Sequence, residues 1–289
     1  YTLIFLWSPV SVIAFWGIPI NRELLAVMLI QPFVMVGSWL VTSAICRALK
    51  FGRSETGVMI LGAALSNQGF TLGAFLCYVL LEPGREAMSY AIAFVTSMQI
   101  FVVLIFYPVA RHYELAAEAE AGKHIEHLPL HRLVIGSFLD IRAAPLYGAT
   151  AGALLSLFGP TYPQWLIDNQ FILDIAFFIG AIGSYLGIGL RLRFGDSLKF
   201  VKHHAVLVVV KFIVMPVMAL AVLMAVKQVQ PIADLPTTVV ILSSFCPTAI
   251  NTVIVSNLFH LDARLASVLW LWNTVLYGVI VVPLIIVFV

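Results

Sequence analysis

Two stretches place hydrogen-bonding side chains and helix-breaking residues inside apolar surroundings. Ile241 to Asn257 runs ILSSFCPTAINTVIVSN, and Ala63 to Gly73 runs AALSNQGFTLG. Pro247 has no N–H and clashes with the carbonyl four residues earlier, so it frees backbone groups within an otherwise helical run. Gly69 permits dihedrals closed to other residues. In hydrocarbon such breaks are tolerated only where they are buried in protein or line a wet cavity. A half-helix starting near Thr248 would point N–H donors and a partial positive charge into that cavity. Ser66, Asn67, Gln68 and Gly69 can do the same. The chemistry is the binding of a small anion, with Asn67, Gln68, Pro247, Thr248 and Asn251 as candidate ligands. Lys211 is the one basic residue well inside an apolar run. An intramembrane charge is a functional candidate, and snorkelling toward a nearby span end is the alternative. The blander reading of the breaks is a proline kink with amides gluing helices together. Two breaks at matching positions of a repeat favour a site.

Other clusters carry less. His124, Glu126, His127 and His131 are loosely spaced in a polar loop and fit a solvated face better than a metal site. Asp174 lies near a span end and fits an exposed or capping carboxylate. Cys46, Cys77 and Cys246 all fall within apolar runs, an odd number of packing thiols and not a disulfide framework. Gly148 and Gly152, like Gly183 and Gly187, have the spacing of close helix packing. No metal-protease or nucleophile-elbow motif occurs, so an intramembrane enzyme lacks its constellation. No cofactor is expected.

These residues must be held by membrane helices. Apolar residues make up 62% of the 289 and charged residues 10%, too few charges to cover a water-soluble fold. A net charge of +2 without basic runs excludes nucleic acid as a partner. Nine runs are long enough to span a bilayer, at about 1–20, 24–46, 56–81, 87–109, 143–159, 170–190, 205–226, 235–259 and 265–289. Twelve lysines and arginines fall in the loops on one side and three on the other. Positive charge marks the cytoplasmic side, which puts loop 110–142 in the cytoplasm and the C-terminus outside. VMLIQPFVMV in the second run resembles LVVVKFIVMP in the seventh, placing Gln31 opposite Lys211, 180 residues on. At the same offset Asn67 falls opposite Pro247. The paired runs lie five apart and so cross in opposite directions, an inverted repeat. Two halves of five predict ten helices. The expectation is an all-α membrane protein with two crossing broken helices, its first helix missing from this chain. The repeats are 1–109 and 143–289, joined by the loop 110–142.

SNQGF in the third run, YLGIGLRL ending the sixth, VVKFIVMPVMAL in the seventh and CPTAINTVIVSNLFHLDARLAS across the last two resemble the auxin efflux carrier family. That family includes plant auxin exporters and bacterial permeases for malonate, malate and similar acids. The resemblance covers essentially the whole chain. It implies ten helices, a scaffold and a transport domain, and crossing broken helices that hold a substrate carboxylate. By position, Asn67 matches the asparagine of the first crossing, Pro247 the proline of the second, and Lys211 the lysine of a Lys-x-x-x-x-Pro pattern. TLGAF departs from the Gly-x-Pro that usually follows the first crossing. The implied function is a secondary transporter in the cell membrane, moving a small mono- or dicarboxylate by alternating access. Its partners would be that acid and the lipid bilayer, with a homodimer left open. The alternatives are a carrier like the bile acid/sodium symporters, disfavoured because SSFCPTAIN has no carboxylate, and a ligand sensor built on a transporter scaffold.

Overall fold

A computed structural model describes residues 8–17, 20–69, 72–122, 129–139, 144–168 and 197–288, together with a few positions between 171 and 182. The sixth apolar run, Asp174, Gly183, Gly187, His124, Glu126 and His127 lie largely or wholly outside the described residues. His131 is exposed.

Among the described residues every element is helical, and the only β-pairing is one isolated bridge. In chain order the helices are α1 (Ser8–Trp16), α2 (Arg22–Ala48), α3 (Arg53–Ala64), α4 (Gly73–Leu80) and α5 (Gly84–Ala121). They continue with α6 (Leu130–Leu139), α7 (Ala144–Phe158), α8 (Gln164–Asp168), α9 (Val201–Val229), α10 (Asp234–Ser244), α11 (Asn251–Leu258) and α12 (Ala263–Val287). Four of these, α2, α5, α9 and α12, are long and apolar enough to cross a membrane. The third and eighth apolar runs are each split into two short helices, which is why neither appears as one span. Along α2 the residues Leu25, Leu29 and Phe33 recur every fourth position and are exposed. A soluble surface avoids an apolar stripe of that kind, whereas a lipid-facing one requires it.

The fourth run extends further than its apolar stretch. α5 continues through ELAAEAEA to Ala121, and Gly122 ends it in the left-handed conformation at φ 63°. Alanine and glutamate are strong helix formers, so the first third of the polar connector is helix continuing out of the apolar run.

Three of the long helices widen into a π turn, at Val102–Phe106, Val210–Val214 and Tyr277–Val281. Each is closed by the N–H of the residue just before a proline. Tyr107 bonds Val102 ahead of Pro108, Met215 bonds Val210 ahead of Pro216, and Val282 bonds Tyr277 ahead of Pro283. The proline ring crowds the carbonyl four residues back, and one wide turn relieves the crowding without ending the helix.

Two apolar cores form within the bundle. One gathers Leu24 to Val34 of α2, Ala87 to Phe94 of α5, Met215 to Leu223 of α9, and α4 and α10. The other gathers Met35 and Cys46 of α2, Met98 to Ala110 of α5, Leu207 and Val210 of α9, and α3, α11 and α12. The division falls at the same level of each long helix. Gln31 and Lys211 sit at that level, both wholly buried. α1 and α7 pack against each other and join the first core through Phe15 and Ala149. A Cβ on Gly148 would fall 2.4 Å from the Ser8 carbonyl oxygen, and one on Gly152 2.3 Å from that of Val12. The two backbones touch through these glycines, as small-residue spacing allows.

Candidate functional site

The two helix breaks meet. α3 ends where Leu65 turns extended, at φ −91° and ψ 116°, and α10 ends three residues before Pro247. Ser66 and Thr248 form the antiparallel bridge. The Asn67 N–H donates to the Pro247 carbonyl at 2.7 Å, and the Ala249 N–H to the Leu65 carbonyl at 2.9 Å. Each break therefore supplies the backbone partner that the other lost, as burial of polar backbone demands. On the far side of the first break the chain doubles back closely. A Cβ at Gly73 would lie 2.6 Å from the Gln68 Cα and carbonyl oxygen, so α4 can start there only with glycine.

Side chains reach several helix-end carbonyls. Thr248 Oγ1 donates to the Gly62 carbonyl at 2.9 Å, and Thr252 Oγ1 to that of Leu61 at 3.3 Å. Lys211 Nζ, in the π turn of α9, donates to the Leu65 carbonyl at 3.1 Å and to Ser66 Oγ at 2.6 Å. Gln68 Nε2 donates to the Ser243 carbonyl at 3.0 Å, closing α10. Its Oε1 accepts from Gln31 Nε2 at 2.9 Å. Gln31 and Lys211, 180 residues apart, thus both reach the first break, from α2 and α9. Lys211 does not snorkel to the span end; it is inside, against the crossing.

Gln68, Thr248 and Lys211 are wholly buried and bonded to protein, and Pro247 is buried as well. Asn67 and Asn251 are partly exposed. The half-helix after the second break begins at Asn251, not at Thr248. The Thr248 N–H, expected to face the cavity, instead donates to Asn273 Oδ1 of α12 at 2.8 Å. Among the described residues the Ile250 and Asn251 N–H groups have no protein acceptor, and the Asn251 amide makes no hydrogen bond. Uncapped donors at the positive end of a helix suit an anion.

Four participants were not picked out as site residues: Ser66, Thr252, Gln31 and Asn273. Asn273 and Gln31 carry the same signal as Lys211, a polar side chain in mid-span, and Gln31 is also marked by the repeat. A crevice beside the crossing, lined by Gly73, Leu76, Leu80, Leu242, Cys246, Tyr277 and Ile285, is too narrow for water. A larger cavity of about 600 Å³ opens at the surface between the start of α2 and the α9–α10 turn, around Glu23 and Ile232.

A family model described as membrane transport protein matches residues 6–286. No curated protein matches the chain.

Proposed function

The chain belongs to the auxin efflux carrier family of membrane transport proteins, and we propose that its cargo is a small organic anion, a mono- or dicarboxylate, bound where the two broken helices cross. The family is one of transporters, not enzymes. The observation that carries the choice of an anion is the start of α11, where two uncapped N–H groups adjoin the partly exposed Asn251 amide. Asn67, also partly exposed, would supply a further contact from the other break. Gln68, Thr248 and Lys211 hold the breaks in register. Pro247 keeps the helix from closing over its own donors. Alternating access fits the tight packing around the crossing, since cargo could enter only after neighbouring helices part.

The test is a thermal-shift screen of mono- and dicarboxylates on the purified protein, since a ligand of the native state raises its apparent stability. Uptake by the same protein in liposomes follows. Asn67→Ala and Asn251→Ala each remove one donor to a charged group, a loss of about 1–3 kcal/mol, or roughly 5- to 150-fold in Kd. If both variants insert normally and carry every acid as the parent does, the crossing is structural only.

A further inference from the structure

The side-chain amide of Asn273 has one half in use. Its Oδ1 accepts the Thr248 N–H at 2.8 Å. The orientation follows from chemistry, because a backbone N–H can only donate, so the amide oxygen must face it. Nδ2 is thereby turned away, and it is buried without a hydrogen-bond partner on a residue only 2% exposed. A buried unpaired donor is costly and calls for an explanation. Across one amide group, Nδ2 lies no more than about 5 Å from the Thr248 nitrogen. Thr248 leads within three residues to the uncapped N–H groups of Ile250 and Asn251. An unpaired side-chain donor on α12 therefore lies beside the segment that leads into the uncapped end of α11.

Resting on the anion reading above, we propose that Asn273 is a substrate-contacting residue: its amide bridges the Thr248 N–H on one side and a carboxylate oxygen of the cargo on the other. The dual bond makes the site self-checking. The same side chain that fixes the second break in place presents the donor, so a displaced break withdraws it. It also extends the site to α12, an element beyond the two broken helices. A carboxylate presents two acceptor oxygens, which matches donors arriving from two helices. A cation would meet the N–H end of the amide dipole here, which is unfavourable.

Asn273→Asp separates the two halves. The aspartate keeps an oxygen toward Thr248 N–H and replaces the donor with an acceptor of the same size. Binding of succinate and benzoate, as di- and monocarboxylate probes, is measured on the purified full chain. The expected result is a lowered thermal midpoint, from burying a carboxylate, with affinity weakened at least roughly 10-fold, the lower end for a lost charge-assisted hydrogen bond. Parental affinity in Asn273→Asp, with weakened binding in Asn251→Ala, overturns this proposal alone. Parental affinity in both variants overturns the anion site itself. Should Asn273→Asp fail to fold, the native chain carrying ¹⁵N-labelled asparagine still decides. The Asn273 Nδ2 resonance must shift on saturation with either probe, a response that a purely structural amide would not give, and an unmoved resonance refutes the contact.

Discussion

Replacing Lys211 by methionine should change anion binding far more than stability. The lysine is wholly buried and donates two hydrogen bonds, to the Leu65 carbonyl and to Ser66 Oγ. Bonds from a charged donor contribute about 1.5–3 kcal/mol each, so their loss alone would destabilise by about 3–6 kcal/mol. Against that, methionine removes the desolvation penalty of an unpaired buried ammonium, itself several kcal/mol. It also fills a similar volume with a flexible apolar chain. The Leu65 carbonyl keeps its bond from Ala249, so only Ser66 Oγ is left without this partner. The terms nearly cancel, and the net change should lie within about 2 kcal/mol, or about 5 °C in Tm. Binding has no such compensation. For a cargo carboxylate bound about 8 Å from the ammonium, at an effective dielectric near 20, the attraction is about 2 kcal/mol, or roughly 30-fold in Kd. Lys211→Met should therefore keep a near-parental thermal midpoint and bind succinate or benzoate roughly 30-fold more weakly in low salt. The deficit should narrow at high salt, because screening blunts the parent's through-space attraction. Parental affinity at low salt would refute the electrostatic role. A fall in Tm of well over about 10 °C would show instead that the strut to Ser66 dominates.

Two further substitutions test the packing around the site. Gln31→Leu leaves the buried amide oxygen of Gln68 without its donor, while Nε2 keeps Ser243, and should cost about 1–3 kcal/mol. Gln31→Leu/Gln68→Leu should show a coupling of at least about 0.5 kcal/mol in a double-mutant cycle of thermal midpoints; strict additivity would mean the pair is not coupled. Gly152→Ala forces a Cβ to within 2.3 Å of the Val12 carbonyl oxygen, and overpacking of this kind costs about 1–3 kcal/mol. The control is Gly136→Ala, where nothing lies within 4 Å of the added carbon and helix propensity favours alanine. Equal midpoints for the two variants would sink the close contact of α1 with α7.

The breaks were legible because their causes are local. Pro247 and the run Ser66 to Gly69 interrupt apolar sequence by rules that need no tertiary knowledge, and the repeat offset that pairs Asn67 with Pro247 anticipates their meeting. The three π turns were equally local, each ahead of a proline, but the widening that a proline imposes without ending a helix is easily taken for a simple kink. What was not legible is who bonds whom. Lys211 and Ser66 are 145 residues apart in sequence, and Thr248 is 25 from Asn273. Those pairings depend on helix rotation, which an all-round apolar sequence does not encode. The start of the second half-helix shows the cost. Counting from the proline placed free donors at Thr248, whereas a side chain from α12 takes that N–H and moves the first uncapped groups to Ile250 and Asn251.

That displacement bears on the sign of the cargo. A broken helix exposes acceptors where its first half ends and donors where its second half begins, so two crossing breaks could in principle bind a cation or an anion. Here part of the acceptor side is filled from within, while the carbonyls of Ala63 and Ala64 receive no hydrogen bond among the described residues. The carbonyls of Leu61, Gly62 and Leu65 receive Thr252, Thr248 and Lys211, and those of Ser243 and Pro247 receive Gln68 and Asn67. A sodium ion at the crossing would have to compete with these bonds and with a lysine a hydrogen bond away from Ser66. The donor side is only half filled. One N–H is capped by Asn273, two are not, and the amino group of Asn273 is left over. The donors left without a protein acceptor at Ile250, Asn251 and Asn273 are what favours an organic anion over a cation in the proposal above.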